Sequence, residues 1–156
     1  MHGLISRGLT VATAESLTAG LLAATLAEVP GASGTLQGGI IAYQNHVKTS
    51  LLDVDADLLA RHGAVHPEVA RQMAEGARRA TGAEVGLATT GVAGPEPHQG
   101  RPVGTVYVGL AGLGGPAGQA RGGGAEAVLL RLDGGREAIR RATVLRTLQE
   151  VLDRWV

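Results

Sequence analysis

Apolar residues along the 156-residue chain fall into short runs that alternate with stripes at three- and four-residue spacing. Residues 9–14 (LTVATA) are apolar and partly β-branched, the pattern of a strand buried on both faces. Leu21, Leu22, Thr25, Leu26 and Val29 then share one side of a helix that Pro30 and Gly31 end. Residues 36–43 (LQGGIIAY) predict a second strand, and residues 46–53 and 56–62 two short helices. Pro67 suits a first helical position, and Val69, Met73, Ala77 and Ala80 give the helix behind it an apolar, small-residue stripe. Residues 84–89 (EVGLAT) predict a third strand, followed by a loop through TGVAGPEPHQGRP. Residues 103–110 and 125–132 predict two more strands, separated by the glycine-rich AGLGGPAGQARGGG. Residues 136–155, with Leu145, Leu148, Leu152 and Trp155 on one face, predict a closing helix. Strands that alternate with helices early and follow one another late imply an α/β fold. The expectation is one domain over residues 1–156, a three-layer α/β/α sandwich with a mixed, mostly parallel sheet.

Composition narrows the functional classes. Acidic and basic residues balance at 14 each, so no global basic field draws the chain to nucleic acid. Cysteine is absent, which excludes disulfides and thiolate metal sites and agrees with a reducing cytoplasm. No run approaches the roughly 20 apolar residues of a membrane span, and no leader pattern opens the sequence. A core with no Phe must be filled by Leu, Val, Ile and Ala, with backbones close together at some of the 25 glycines.

The candidate chemistry starts at AESLTAG. Ser16 falls where the first strand meets the first helix, the rim at which open α/β sheets bind ligands. It is either a nucleophile, with N–H groups of Thr18, Ala19 and Gly20 facing an oxyanion or phosphate, or an N-cap, a role that Thr18 could also fill. A serine needs a base. His62 and His66 are separated by Gly63 and followed by Pro67, which argues against one helix and a metal pair. His2 and His98 lie in segments with no expected order, and His46 reads as solvated. Lys48 and Tyr43 remain: a desolvated lysine could act as base with the tyrosine relaying the proton, or both could be surface residues. TTGVAGP is a tight turn or a phosphate cradle and lacks the P-loop ending. Arg136, Arg140 and Arg141 are phosphate candidates or a solvated helix face.

Taken in order, AESLTAGLLAATL, VPGASGTLQGGIIAYQNHVK, LARHGAV, TTGVAGP, PVGTVYVGL and GREAIRRATVLRTL resemble the CinA carboxy-terminal domain family, nearly end to end. The resemblance implies an amidase that converts nicotinamide mononucleotide to nicotinic acid mononucleotide and ammonia, without metal or cofactor. It implies Ser16 as nucleophile and Tyr43 and Lys48 as its assistants, with Thr18, Ala19, Gly20, Asn45, Thr90, Gly91 and Gly94 at the substrate. A homo-oligomer in the cytoplasm is expected, with no membrane or direct nucleic-acid partner. A non-catalytic nucleotide-binding module, or a hydrolase of another small amide, are the alternatives. The amino-terminal molybdopterin-related domain of full-length CinA has no counterpart here, so the stand-alone form is expected. Departures from the family pattern are Ala19 for a glycine, His66 and Pro67 where serine is common, Gly135 for an aspartate, and EPHQGR after Pro95.

Overall fold

The computed structural model describes residues 1–113 and 123–156. The glycine-rich link expected between the last two strands lies mostly outside the described residues. A short helix, α1 (His2–Ser6), comes first. There follow β1 (Val11–Glu15), α2 (Leu21–Ala27), a 3₁₀ turn, β2 (Leu36–Ile41), α3 (Asn45–Leu52), α4 (Ala56–His62) and α5 (Pro67–Thr81). Then come β3 (Val85–Gly91), β4 (Thr105–Leu113), β5 (Gly124–Arg131) and α6 (Arg136–Trp155). The five strands form one sheet in the order β2-β1-β3-β4-β5. It is parallel across β2, β1 and β3 and antiparallel across β3, β4 and β5, the mixed sheet that the pattern implies.

Alternation along β1 sorts the two faces. Val11 joins Leu22, Leu26, Leu87, Val108, Ile139 and Trp155 in a core under α1, α2 and α6. Ala12 and Ala14 join Leu52, Leu58, Val69, Met73 and Ala77 in a second core under α3, α4 and α5. These are the three layers, with β1 fully buried between them.

The Phe-free core is closed by backbone contact. A Cβ at Gly109 would lie 2.0 Å from the Ala70 carbonyl, and one at Gly86 2.1 Å from that of Ala74. Glycine on the strands and alanine on α5 thus let the helix lie directly on the sheet. His66 caps α5: its Nδ1 accepts the Glu68 N–H at 3.2 Å, and Pro67 opens the helix. As expected, His62 and His66 belong to different helices, with their rings stacked at 4.9 Å.

Three boundaries move in ways that matter for the site. β2 stops at Ile41: the Ala42 N–H makes the last bond to β1, to the Glu15 carbonyl at 2.8 Å, and the chain then enters α3. Tyr43 therefore stands beyond the strand rather than ending it. β3 runs on to Gly91, so Thr90 and Gly91 are held by pairing with β4 rather than sitting in a loop. β4 starts at Thr105, two residues later than the pattern suggests.

Candidate active site

The carboxyl ends of β1, β2 and β3 share one rim of the sheet, and a cavity opens there. It measures about 620 Å³ and is lined by Ser16, Tyr43, Asn45, His46, Lys48, Thr90, Gly91, Gly94, His98 and Arg136 among others. The size suits a small organic ligand. Among the described residues no cluster of His, Cys, Asp or Glu could hold a metal ion.

Glu15 settles why a strand ends in an acid and a serine. Its side chain is 1% exposed and folds back over the start of α2, accepting N–H bonds from Gly20 (2.9 Å), Leu22 (3.0 Å) and Ala23 (2.8 Å). Thr13, on the same face of β1, donates its hydroxyl to Glu15 at 3.1 Å. The carboxylate thus satisfies the free donors of the helix and complements its dipole. Gly20 is the N-cap, with no side chain to contribute, so neither Ser16 nor Thr18 caps α2. Thr18 instead shares a hydrogen bond with Thr89 at 2.7 Å.

This arrangement corrects the expected oxyanion donors. The Gly20 N–H is taken by Glu15 and the Ala19 N–H by the Ser16 carbonyl at 3.2 Å. Thr18, Ala19 and Gly20 are absent from the cavity wall, so the methyl of Ala19 crowds no ligand there. Ala19 has φ +50°, which explains why glycine would suit this position. Of the three expected donors only Thr18 keeps an N–H without an acceptor among the described residues, and the second free donor is Leu17, the one of the two whose residue lines the cavity.

Lys48 is the only lysine in the chain, every other basic side chain of this type being arginine. It is fully buried. From the first turn of α3 its Nζ reaches the Ala42 carbonyl at 2.7 Å, the Tyr43 carbonyl at 3.1 Å and Ser16 Oγ at 3.3 Å. No carboxylate pairs with it among the described residues. Burial lowers its pKa from 10.5 to about 8. When the amine is neutral, two carbonyls can hold its two N–H groups while its lone pair meets the Ser16 hydroxyl. That is the arrangement a general base requires.

Tyr43 makes no hydrogen bond from its hydroxyl to Ser16 or Lys48 among the described residues. Its side chain is 49% exposed, and its hydroxyl accepts from Arg136 Nη2 at 3.0 Å. Its contribution to Lys48 is the main-chain carbonyl. Arg136 also donates to the Gly94 carbonyl at 2.9 Å, so it spans the cavity mouth from Tyr43 to the loop behind β3. Arg140 turns inward as well, onto the Leu17 and Thr18 carbonyls, whereas Arg141 pairs with Glu137 in solvent. Arg136 and Arg141 are exposed, as a solvated face implies, and Arg140 alone is half-buried. Together they border a second concavity of about 360 Å³ beside Leu21.

Of the remaining expected contacts, Asn45 and His46 open α3 toward the cavity, and Gln44, the N-cap, makes no side-chain bond. Thr90 is buried, with its hydroxyl on the Ala64 carbonyl at 2.8 Å, and helps fix that wall. Gly91 is required by packing: a Cβ would lie 2.7 Å from the Thr105 carbonyl. Gly94, at φ +84°, turns the loop, and the N–H groups of Ala93 and Gly94 find no acceptor among the described residues. His98 makes reciprocal main-chain bonds with Arg101. Glu15 and Leu17 are the contributors that motif reading missed, and Arg140, named there as a phosphate candidate, binds main-chain carbonyls instead. Glu15 could have been suspected as the one acid inside an apolar strand.

A three-layer α/β sandwich with a serine and a buried lysine on its rim defines the class. The chain belongs to the CinA C-terminal domain family, whose sequence profile matches residues 1–155. It is 47% identical over 148 residues to a CinA-like protein of Frankia casuarinae, covering 95% of this chain and 32% of that protein. It is 54% identical over 107 residues to a putative competence-damage inducible protein of Desulforamulus reducens, covering 69% of this chain and 26% of the relative. The chain thus spans about a third or less of the curated relatives it matches. The crystal structure of the competence/damage inducible protein CihA from Agrobacterium tumefaciens is similar at TM-score 0.86 and 36% identity, covering 97% of this chain and 88% of that one. No described helix is long and apolar enough to cross a membrane.

Proposed function

We propose that this domain is an amidohydrolase that deamidates nicotinamide mononucleotide to nicotinic acid mononucleotide and ammonia. The observation that carries the reading is the fully buried, carboxylate-free Lys48 ammonium site 3.3 Å from Ser16 Oγ. A lysine is expensive to bury without a counter-ion, and a fold that does so beside a hydroxyl has a use for its neutral form. The choice of a pyridine mononucleotide rests on the family resemblance. It is consistent with the cavity size and with Arg136, a guanidinium at the mouth with no carboxylate partner among the described residues.

In the proposed reaction Ser16 Oγ attacks the carboxamide carbon as its proton passes to Lys48 Nζ. The carbonyl oxygen takes the negative charge and is held by the N–H groups of Leu17 and Thr18. Collapse breaks the C–N bond, and the proton on Lys48 goes to the leaving nitrogen, giving ammonia and a Ser16 ester. Water then attacks the ester, losing a proton to Lys48. Release of the acid returns that proton to Ser16.

The test is an ammonia assay with purified protein and a panel of pyridine amides. Nicotinamide mononucleotide should be turned over, and Ser16→Ala should lower the rate by at least ~100-fold with folding intact. Nucleotide binding without ammonia release would establish the binding-module alternative instead.

A further inference from the structure

Arg140 grips the main chain beside Ser16 from 123 residues away. Its Nε donates to the Leu17 carbonyl at 2.9 Å and its Nη2 to the Thr18 carbonyl at 2.7 Å. These belong to successive peptide groups just after the proposed nucleophile. No ion pair to Arg140 exists among the described residues, since its neighbours Glu137 and Arg141 pair with each other. The planar guanidinium thus directs its fork at two carbonyls, a match that an ammonium could not reproduce.

In a trans peptide the N–H points opposite to the C=O. Drawing the Leu17 carbonyl toward α6 therefore turns the Thr18 N–H to the other side. The Leu17 N–H is fixed in the same way, because the Ser16 carbonyl is held by the Ala19 N–H. Both N–H groups lack acceptors among the described residues, and donors for an oxyanion must be aimed before the charge develops. We infer that Arg140 is a positioning residue for acyl transfer: it orients and polarises the Leu17–Thr18 peptide directly, and it reaches the Leu17 N–H at one remove, through the Thr18 carbonyl, the Ala19 N–H of that same peptide and the Ser16 carbonyl that this N–H holds. Hydrogen bonding at a carbonyl strengthens the N–H of the same peptide as a donor. The inference rests on Ser16 being the nucleophile and is independent of which amide is the substrate.

Deleting one oxyanion donor outright typically costs ~10²–10³ in kcat, so loosening two without deleting them should cost ~10–100-fold. KM should change little, because Arg140 is absent from the wall of the larger cavity. The test uses a fluorophosphonate, which Ser16 Oγ attacks at phosphorus. The P–F bond breaks, fluoride leaves, the serine proton passes to Lys48, and the phosphoryl oxygen takes the oxyanion position. Labelling is followed by intact mass, alongside kcat and KM for ammonia release.

The expected result is one label on the parent protein, none on Ser16→Ala, and labelling of Arg140→Met slowed ~10–100-fold with a matching fall in kcat and unchanged KM. Guanidinium ion should restore part of the rate to Arg140→Ala, which a purely structural role would not produce. If Arg140→Met fails to unfold cooperatively, Arg140→Lys carries the test, since it keeps the charge but loses the fork and should still be slowed. Labelling of the Arg140 variants at the parent rate, or a raised KM with kcat intact, overturns the inference. A parent protein that is labelled in an Arg140-dependent way yet releases no ammonia upholds it while refuting the proposed substrate. A parent protein that is never labelled overturns both.

Discussion

Replacing Lys48 by Met removes the proposed base while keeping an unbranched side chain of similar length, and it separates the catalytic role of the lysine from its thermodynamic cost. An unfolded lysine holds its proton up to about pH 10.5, the folded one only up to about 8. Between those limits the unfolded chain binds more protons, so stability contributed by this group rises with pH across that window. The full penalty on the native state applies below the folded pKa and amounts to about 3 kcal/mol at neutral pH. By about pH 10 most of it, roughly 2–3 kcal/mol, should be relieved. Methionine binds no proton and carries no such dependence. It forfeits the two bonds from the amine to the Ala42 and Tyr43 carbonyls, worth about 1 kcal/mol each. Lys48→Met should therefore be about 1 kcal/mol more stable than the parent near pH 7 and less stable near pH 10. Urea unfolding followed by circular dichroism at both pH values measures the difference. Ammonia release by the variant should fall at least ~100-fold. A stability difference that is the same at both pH values would refute the reasoning, since every other titrating group cancels between the two proteins.

The base must be neutral to accept the serine proton, so kcat/KM should fall about tenfold per pH unit on the acid side of a limb near 8; a rate independent of pH down to about 6 would contradict this. Arg136→Gln should raise KM about 10–100-fold for nicotinamide mononucleotide and far less for the uncharged-tail riboside, as read from initial rates with both amides; equal effects on the two would remove Arg136 from phosphate recognition. Glu15→Ala leaves the N–H groups of Gly20, Leu22 and Ala23 without their acceptor and should cost about 3 kcal/mol or more in urea unfolding; a loss below about 1 kcal/mol would mean that water or the helix itself replaces the carboxylate.

Much of this architecture was legible because burial in the core leaves periodic traces. The run at β1 and the stripe of α5 each report which side faces inward, but the leucines expected on the inner face of α6 do not: Leu145 and Leu152 are exposed, and the helix buries Ile139, Thr143, Thr147, Val151 and Trp155 instead. The serine and lysine were legible as residue types at a strand end and a helix start. What periodicity could not convey is which polar group satisfies which. Glu15 and Arg140 act across 5 to 8 and across more than 120 positions respectively, so no local spacing announces them. The donors expected at Ala19 and Gly20 were misplaced for the same reason, since their availability depended on an acid folding back over the helix. Tyr43 stands beyond the expected strand because β2 ends two residues before the pattern does, which sends the phenol toward Arg136 and leaves only its carbonyl on the lysine.

Because Lys48 is the sole lysine, protein labelled with ¹³C at lysine Cε yields a single lysine side-chain resonance, and its titration reads the site without mutation. A midpoint near 8 is the result expected of an amine buried beside Ser16 and free to take its proton. A midpoint at or above the ordinary lysine value of 10.5 would contradict the central claim, leaving Ser16 beside a permanent cation and without a base.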